Sequence, residues 1–254
     1  VFNPVKVAVE GTRKGIEIIN QTVENRNSHF DEALIKRLHG AILYYLPGVA
    51  GNYRLDEDVR LGDRRLIKGV ELRDRMHLFS HWLGERTETL KDEHENLIGA
   101  VQLASEAHFG LISPELHPFE DGNGRVARLL ANGILMMNTH ELMYYGFKIL
   151  PVPLLRNNNG KEDPYITILK ETIESDQLDG LDLYVATLWA RNIEQLLQAY
   201  KAKFKGNGHG KTAGDEKLVA KFENRSAKLQ AFIEEKRLGK EKATHLVPDY
   251  FATS

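Results

Sequence analysis

One run of twelve residues constrains the fold of this chain more than any other part of its sequence. Residues 117–128 read His-Pro-Phe-Glu-Asp-Gly-Asn-Gly-Arg-Val-Ala-Arg, with a tight turn of two glycines around Asn123. Between Arg125 and Asn138, apolar side chains recur at spacings of three and four, which predicts one buried face of a helix. These apolar positions are Val126, Leu129, Leu130, Ile134 and Met137. The run therefore predicts a turn that leads directly into a buried helix.

The residue types in this run suit the binding of a metal-bound polyphosphate beside a base. A glycine turn that enters a helix leaves N–H groups unpaired at the positive end of the helix dipole, which makes an anion site. Arg125 and Arg128 lie three residues apart on one edge of that helix, where forked guanidiniums would grip phosphate oxygens. Asp121 offers a hard oxygen ligand of the kind that Mg²⁺ takes beside phosphates. His117 can accept a proton at neutral pH, because a histidine has an unperturbed pKa of about 6.5.

Each of these features also has a plain structural interpretation. A histidine before proline is usually structural, an Asp-Gly-Asn-Gly run is usually a solvated turn, and arginine is common where helices start. A plain turn, however, needs neither a base nor paired arginines, so the combination favours the functional interpretation. We expect Phe119 to point away from the polar groups and to anchor the loop in the core.

The run matches the signature of Fic-domain proteins, HxFx[D/E]GN[G/K]RxxR, at every defined position. The resemblance continues upstream, where residues 48–54 are similar to the family's glycine–aromatic–arginine segment and Val59–Val70 would supply its β-hairpin flap. Ala104–Ile112 resembles the helix that leads into the motif. Roughly residues 5–200 resemble members of the family, although only the motif is diagnostic.

The resemblance implies an all-α Fic fold, a helical bundle core with a small β-hairpin flap. It also implies a protein adenylyltransferase that transfers AMP from ATP to a Ser, Thr or Tyr hydroxyl of a target protein. By position in the motif, His117 would be the general base and Asp121 would bind Mg²⁺. Tyr165 resembles the tyrosine that the family places near the adenine, although core packing would explain it equally well. The nucleotide-binding residues would be Phe119, Gly122, Asn123, Gly124, Arg125, Arg128 and Tyr165.

Two glycines favour AMP transfer over phosphorylation. The phosphotransferase branch of the family carries lysine at the position of Gly124 and alanine at that of Gly122, and this chain has neither. Two other functions stay open at this point. One is a catalytically silent nucleotide-binding or interaction module, and the other is a Fic transferase that uses a different nucleotide donor.

The sequence does not reveal how such an enzyme would be inhibited. Many family members carry a helix with the pattern [ST]xxxE[GN], whose glutamate pairs with the second arginine. The nearest match is residues 20–25, where Asn20 replaces Ser or Thr and Glu24 is the glutamate. The inhibitory helix is therefore missing from this chain, supplied by a partner antitoxin chain, or degenerate with Glu24 in its role. We favour the first two, in which Arg128 is available to the γ-phosphate.

Composition excludes some classes of function. The net charge of −2 gives no electrostatic case for a nucleic-acid protein, and the absence of cysteine excludes disulfides, thiolate metal sites and a thiol nucleophile. No apolar run reaches the ~18 residues of a transmembrane helix, so we expect no membrane partner. No signal peptide is visible, and a cytoplasmic location is predicted. Homodimerisation is common in the family, but no heptad repeat or exposed apolar stripe demands it.

Helical periodicity extends along most of the chain. Predicted helices are Val7–Val23, Glu32–Tyr45, Val70–Leu83, Glu95–Leu111, Asp163–Ser175, Leu181–Phe204 and Asp215–Leu238. We expect a Fic domain with flanking helices over residues 1–204, a Gly-rich linker over 205–214 and a C-terminal helical appendage over 215–254. Gly210-Lys211-Thr212 is not a P-loop, because Lys205 stands where the first glycine should be.

Overall fold

We analysed a computed structural model that describes residues 3–25, 29–55, 59–61, 64–92, 96–139, 152, 163–206, 213–239 and 245. The described residues form eight helices and one antiparallel pair of short strands, so the prediction of an all-α fold with a small hairpin is confirmed. The elements are α1 (Pro4–Glu24), α2 (Glu32–Ile42), β1 (Arg60–Leu61), β2 (Arg64–Arg65), α3 (Gly69–Asp92), α4 (Leu97–Ile112), α5 (Asn123–Met137), α6 (Pro164–Ser175), α7 (Asp179–Gly206) and α8 (Ala213–Arg237).

Helix α5 lies at the centre of the bundle. It packs against α4 on one side and against α1 and α2 on another. Almost every residue from Val126 to Met136 is buried, as expected for a helix that is surrounded by others. Gly133 permits the close approach of neighbouring groups, because a Cβ there would lie 3.0 Å from the Phe30 ring and 3.1 Å from Ile19. The motif therefore leads into a helix that is buried over most of its length.

Side-chain caps define where several helices begin. Asn3, Asp31, Asn96 and Asp163 each stand at an N-cap and accept a hydrogen bond from a backbone N–H in the first turn of their helix. Helix α5 differs, because its N-cap is Gly122, in a left-handed conformation and without a side-chain hydrogen bond. Its first N–H groups are therefore not covered by a capping side chain, as an anion site requires.

Helix α3 is longer than predicted. The predicted segment ended at Leu83, whereas the helix continues to Asp92. The apolar stripe continues through Thr87 and Leu90, which are both buried. Thr87 satisfies its hydroxyl by donating to the carbonyl oxygen of Leu83 at 2.8 Å. A threonine can therefore occupy a core position that a search for apolar residues alone overlooks.

The predicted hairpin is present within Val59–Val70. Arg60 pairs with Arg65 and Leu61 with Arg64, and the N–H of Leu66 donates to the carbonyl oxygen of Val59 at 2.9 Å. The Arg64 guanidinium donates to the Ile173 carbonyl oxygen of α6 at 3.1 Å. The hairpin is therefore tied to α6, with which it forms one wall of the site described below.

The last helix of the described residues, α8, packs on the bundle. Helix α8 lies along α7 and also contacts α4, and the Tyr200 hydroxyl donates to Asp215 at 2.6 Å. Most of the predicted linker and the last residues of the predicted appendage lie outside the described residues. In the described part of the chain, no helix combines the length and apolar character that crossing a bilayer requires.

Candidate active site

A cavity of about 820 Å³ lies where the hairpin, α6 and the N-terminal end of α5 meet. Apolar residues of α6 and the hairpin form one side, including Leu61, Ile166 and Leu169. The residues that the motif predicts for the site form the other side, and these are His117, Asp121, Gly122, Gly124, Arg125 and Arg128. Tyr165 also lines the cavity. Of the predicted site residues, only Phe119 and Asn123 are not part of its lining.

Phe119 and Asn123 instead close the motif loop on itself. The Asn123 side chain accepts from the Phe119 N–H at 2.9 Å and donates to the Phe119 carbonyl oxygen at 2.7 Å. Both residues are buried, with the Phe119 ring completely so. The expectation that Phe119 anchors the loop in the core agrees with this position. Their side chains therefore support the motif loop from behind the cavity lining.

His39 of α2 supports the same loop, although no sequence motif points to it. Its Nδ1 accepts from the Gly51 N–H at 3.0 Å, so its Nε2 carries the proton and donates to the Asp121 carbonyl oxygen, also at 3.0 Å. The ring stacks on Phe119 with the centroids 3.7 Å apart. Burial lowers the pKa of His39 to about 4, so the ring stays neutral. The only local feature of the sequence that could have pointed to His39 is its place on the buried face of α2, four residues after Ile35.

Gly122 is required at the turn for two reasons. Its φ of 84° lies in the left-handed region that favours glycine. A Cβ at this position would also lie 3.3 Å from the His39 ring. The chain can therefore turn tightly against His39 and present the start of α5 to the cavity.

The His117 ring has a defined tautomer. Its Nδ1 lies 3.2 Å from the Ile112 carbonyl oxygen, which can only accept, so Nδ1 carries the proton and Nε2 carries the lone pair. Burial lowers the pKa of His117; the hydrogen bond to Ile112 opposes this effect, and the nearby Arg54 charge adds to it. The ring is therefore neutral at pH 7 and can accept a proton at Nε2.

Arg54 holds the backbone of His117 in an unusual conformation. His117 has a φ of 36°, which a residue with a side chain rarely adopts. Arg54 is almost completely buried, and its Nε donates to the His117 carbonyl oxygen at 2.9 Å. The Arg54 N–H also donates to the Pro118 carbonyl oxygen at 2.9 Å. These contacts give Arg54 a structural role in the segment 48–54, which resembles the family's segment upstream of the flap.

Asp121 and Arg125 form an ion pair at the opening of the cavity. The Asp121 side chain is 69% exposed, and one of its oxygens lies 2.9 Å from an Arg125 nitrogen. Among the described residues, no three His, Cys, Asp or Glu side chains form a metal cluster. Mg²⁺ in a nucleotide site needs only about one or two carboxylates, because phosphate oxygens and water supply the other ligands. A single exposed carboxylate beside the start of α5 fits that donor set.

Arg128 lies deeper in the site than Arg125. It is only 7% exposed, and its NH1 donates to the Tyr165 hydroxyl at 3.4 Å. The guanidinium carbon lies 5.6 Å from the centre of the Tyr165 ring, within range of a cation–π interaction. Tyr165 thus serves as a core residue and as part of the cavity wall.

Glu24 is too far along the bundle to pair with Arg128. Helices α1 and α5 run in the same direction, because a Cβ at Gly15 would meet Leu129 and one at Gly133 would meet Ile19. Glu24 lies five residues beyond Ile19, whereas Arg128 lies five residues before Gly133. At a rise of about 1.5 Å per residue, the two are on the order of 15 Å apart along the axis. The hypothesis of a degenerate inhibitory helix with Glu24 in this role therefore does not fit the structure.

Comparison with known proteins supports the resemblance found in the motif. Residues 29–135 match the Fic/DOC family. The chain is 28% identical over 189 residues to "Protein adenylyltransferase Fic" of Aedes aegypti, covering 71% of this chain and 34% of the relative. It is 30% identical over 165 residues to the protein of the same name from Drosophila virilis, covering 61% and 30%. The chain thus spans about a third of the length of these curated relatives.

The fold is also similar to that of a solved structure. A Fic-domain-containing signaling protein from Bacteroides thetaiotaomicron superimposes with a TM-score of 0.50 at 24% sequence identity, covering 69% of this chain and 60% of that one. The motif, the helical bundle with its hairpin and these comparisons agree: residues 29–135 match the Fic/DOC family, and the fold is similar to that of a Fic-domain protein.

Proposed function

We propose that this chain is a protein adenylyltransferase that transfers AMP from ATP to a Ser, Thr or Tyr hydroxyl of a target protein. The observation that carries the proposal is the neutral His117, whose Nε2 is left with a lone pair in a cavity also lined by two arginines and the start of a helix. The names of the relatives from Aedes aegypti and Drosophila virilis support the same activity. In this proposal, Gly122 and Gly124 provide close backbone approach for the α- and β-phosphates.

The reaction would be an in-line displacement at the α-phosphorus. His117 Nε2 takes the proton of the target hydroxyl while the hydroxyl oxygen bonds to the α-phosphorus. The bond from that phosphorus to the bridging oxygen breaks, and pyrophosphate leaves with the bonding electrons. Arg125 and Arg128, with the N–H groups of α5, would stabilise the charge that moves onto the leaving group. Mg²⁺ held by Asp121 would neutralise phosphate charge when bound.

The hairpin would hold the target segment. Its strands β1 and β2 border the cavity through Leu61 and Arg64, and an extended peptide can add to such an edge through main-chain hydrogen bonds. This mode demands little of the target sequence. For Arg128, an inhibitory glutamate would come from a partner antitoxin chain or from a helix outside the residues that the structure describes.

A nucleotide-donor panel tests the proposal. The protein is incubated with Mg²⁺, a cell lysate and ATP labelled at the α- or the γ-phosphate, and label on protein is followed with intact-mass analysis. Because lysate kinases also use ATP, only label that is lost in His117→Ala is counted. We expect such label from the α-phosphate only, with a mass increase of one AMP group. His81→Ala is the matched control, because His81 is exposed on α3 and does not line the cavity.

Other outcomes would replace the proposal with a defined alternative. Label from the γ-phosphate would indicate phosphorylation. Label from CDP-choline, GTP or UTP but not from ATP would indicate another nucleotide donor. Nucleotide binding without transfer, both in the wild type and in His117→Ala, would indicate a silent binding module.

A further inference from the structure

His108 is a buried histidine that does not line the cavity but is connected to it. It lies on α4 with no exposed surface, and its Nε2 is 2.6 Å from the Tyr165 hydroxyl oxygen. The same oxygen lies 3.4 Å from NH1 of Arg128. Three side chains from α4, α6 and α5 therefore form a continuous hydrogen-bonded chain that ends at an arginine of the site.

One hydrogen bond in this chain has a fixed direction. A guanidinium can only donate, so the Tyr165 oxygen accepts from Arg128. The same oxygen lies 2.6 Å from His108 Nε2. Burial, with a smaller contribution from the Arg128 charge, lowers the pKa of His108 to about 3, so the ring is neutral.

A neutral partner behind the tyrosine has a specific advantage. A carboxylate in its place would compete with a bound phosphate for Arg128. A neutral imidazole fixes the tyrosine hydroxyl, and through it the guanidinium, without adding negative charge beside Arg128. An arginine held in place in advance also loses less side-chain freedom when a ligand binds.

We propose that His108 is a positioning residue, which acts through Tyr165 to orient the Arg128 guanidinium toward the β- and γ-phosphates of ATP. The inference rests on the proposed function, since it assumes that the cavity binds ATP. His108 itself would touch neither nucleotide nor target. Its effect should therefore depend on the terminal phosphates and on the presence of Arg128.

Binding calorimetry with two ligands distinguishes positioning from a merely structural role. The probes are α,β-methylene-ATP, which cannot transfer AMP, and AMP, which lacks the β- and γ-phosphates, each with Mg²⁺. We expect His108→Leu to weaken binding of the ATP analogue about tenfold, the scale of one buried hydrogen bond, and to leave AMP affinity within about twofold. His108→Gln, whose amide can still form a hydrogen bond with Tyr165, should recover most of the loss.

A double-mutant cycle adds the decisive comparison. In an Arg128→Ala background, His108→Leu should have no further effect on the affinity for the ATP analogue. If His108→Leu fails to fold, Tyr165→Phe removes the connecting hydroxyl while keeping the ring, and it should show the same selective loss.

Each failure has a separate meaning. Equal weakening of both ligands, or a tenfold loss that persists without Arg128, would show that His108 is only structural and would overturn the inference. Unchanged affinity for the ATP analogue in both His108→Leu and Tyr165→Phe would overturn it as well. If the wild type bound neither ligand, the proposed function itself would be wrong, and the inference would fall with it.

Discussion

His245 should make the stability of this protein depend on pH. Its Nδ1 lies 2.7 Å from an Asp182 oxygen and its Nε2 lies 3.0 Å from a Glu106 oxygen. Because carboxylates only accept hydrogen bonds, both ring nitrogens carry protons and the imidazole is positively charged. Burial alone would lower the pKa of His245, but the hydrogen bonds to Asp182 and Glu106 outweigh burial and raise the pKa to about 9.

The size and sign of the effect follow from this shift. An unfolded histidine has a pKa of about 6.5, so the folded state binds the proton more tightly, and the difference corresponds to about 3 kcal/mol of stability. That contribution is fully present below about pH 6.5 and disappears as the pH rises through about 9. Lys236 and Arg86 each lie 3.7 Å from one of the two carboxylates. They partly replace the imidazolium when it is removed, so the measured value should not exceed about 3 kcal/mol.

Urea unfolding of wild type and His245→Gln between pH 6 and pH 10 measures the effect, with the fluorescence of the buried Trp189 as one signal. The wild type should be more stable by up to about 3 kcal/mol at pH 6, and the difference should shrink toward zero at pH 10. His81→Gln, at an exposed histidine on α3, should show only a small difference across the range. A difference for His245→Gln that stays constant or grows with pH would refute the reasoning.

Three further substitutions test the scaffold of the motif. Asn123→Ala leaves buried backbone groups of the loop without partners and should cost about 2–3 kcal/mol in urea unfolding; a loss below about 0.5 kcal/mol would contradict the loop closure described here. Gly122→Ala combines a strained φ with a contact 3.3 Å from His39 and should cost about 1–3 kcal/mol by the same measurement, whereas a stabilised variant would show that the turn tolerates a side chain. Arg54→Met should slow AMP transfer about tenfold or more at saturating ATP, because His117 is no longer held in place. An unchanged initial rate in a folded Arg54→Met protein would show that AMP transfer does not depend on the contact between Arg54 and His117.

Local patterns in the sequence were sufficient for the helices and for the motif. Apolar residues at spacings of three and four marked α2 and α5, and the glycine turn marked the start of α5. The supporting residues could not be found in this way, because their partners are distant in sequence. His39 contacts Asp121 across 82 residues, Arg54 contacts His117 across 63, and His108 contacts Tyr165 across 57. A single sequence gives residue types, whereas these contacts arise only when the helices pack.

Side-chain direction was the other quantity that the sequence did not provide. Phe119 and Asn123 stand inside the motif and were assigned to nucleotide binding, but their side chains turn into the loop and the core. A twelve-residue motif folded as a turn must devote some positions to holding its own shape. Residues that never touch a ligand can therefore be as necessary to the signature as those that do.

The two arginines of the motif differ in how they would meet a ligand. Arg125 is paired with Asp121, whose side chain is 69% exposed, so water screens the ion pair and it contributes only about 0–1 kcal/mol. It can therefore open at little cost when the carboxylate turns to a metal ion and the guanidinium to a phosphate. Arg128 is buried against Tyr165 and connected to His108, so its position is set before any ligand arrives. Recognition of the terminal phosphates should consequently depend on the packing of α4, α5 and α6 as well as on the arginines themselves, so substitutions of buried residues far from the cavity opening should also weaken it.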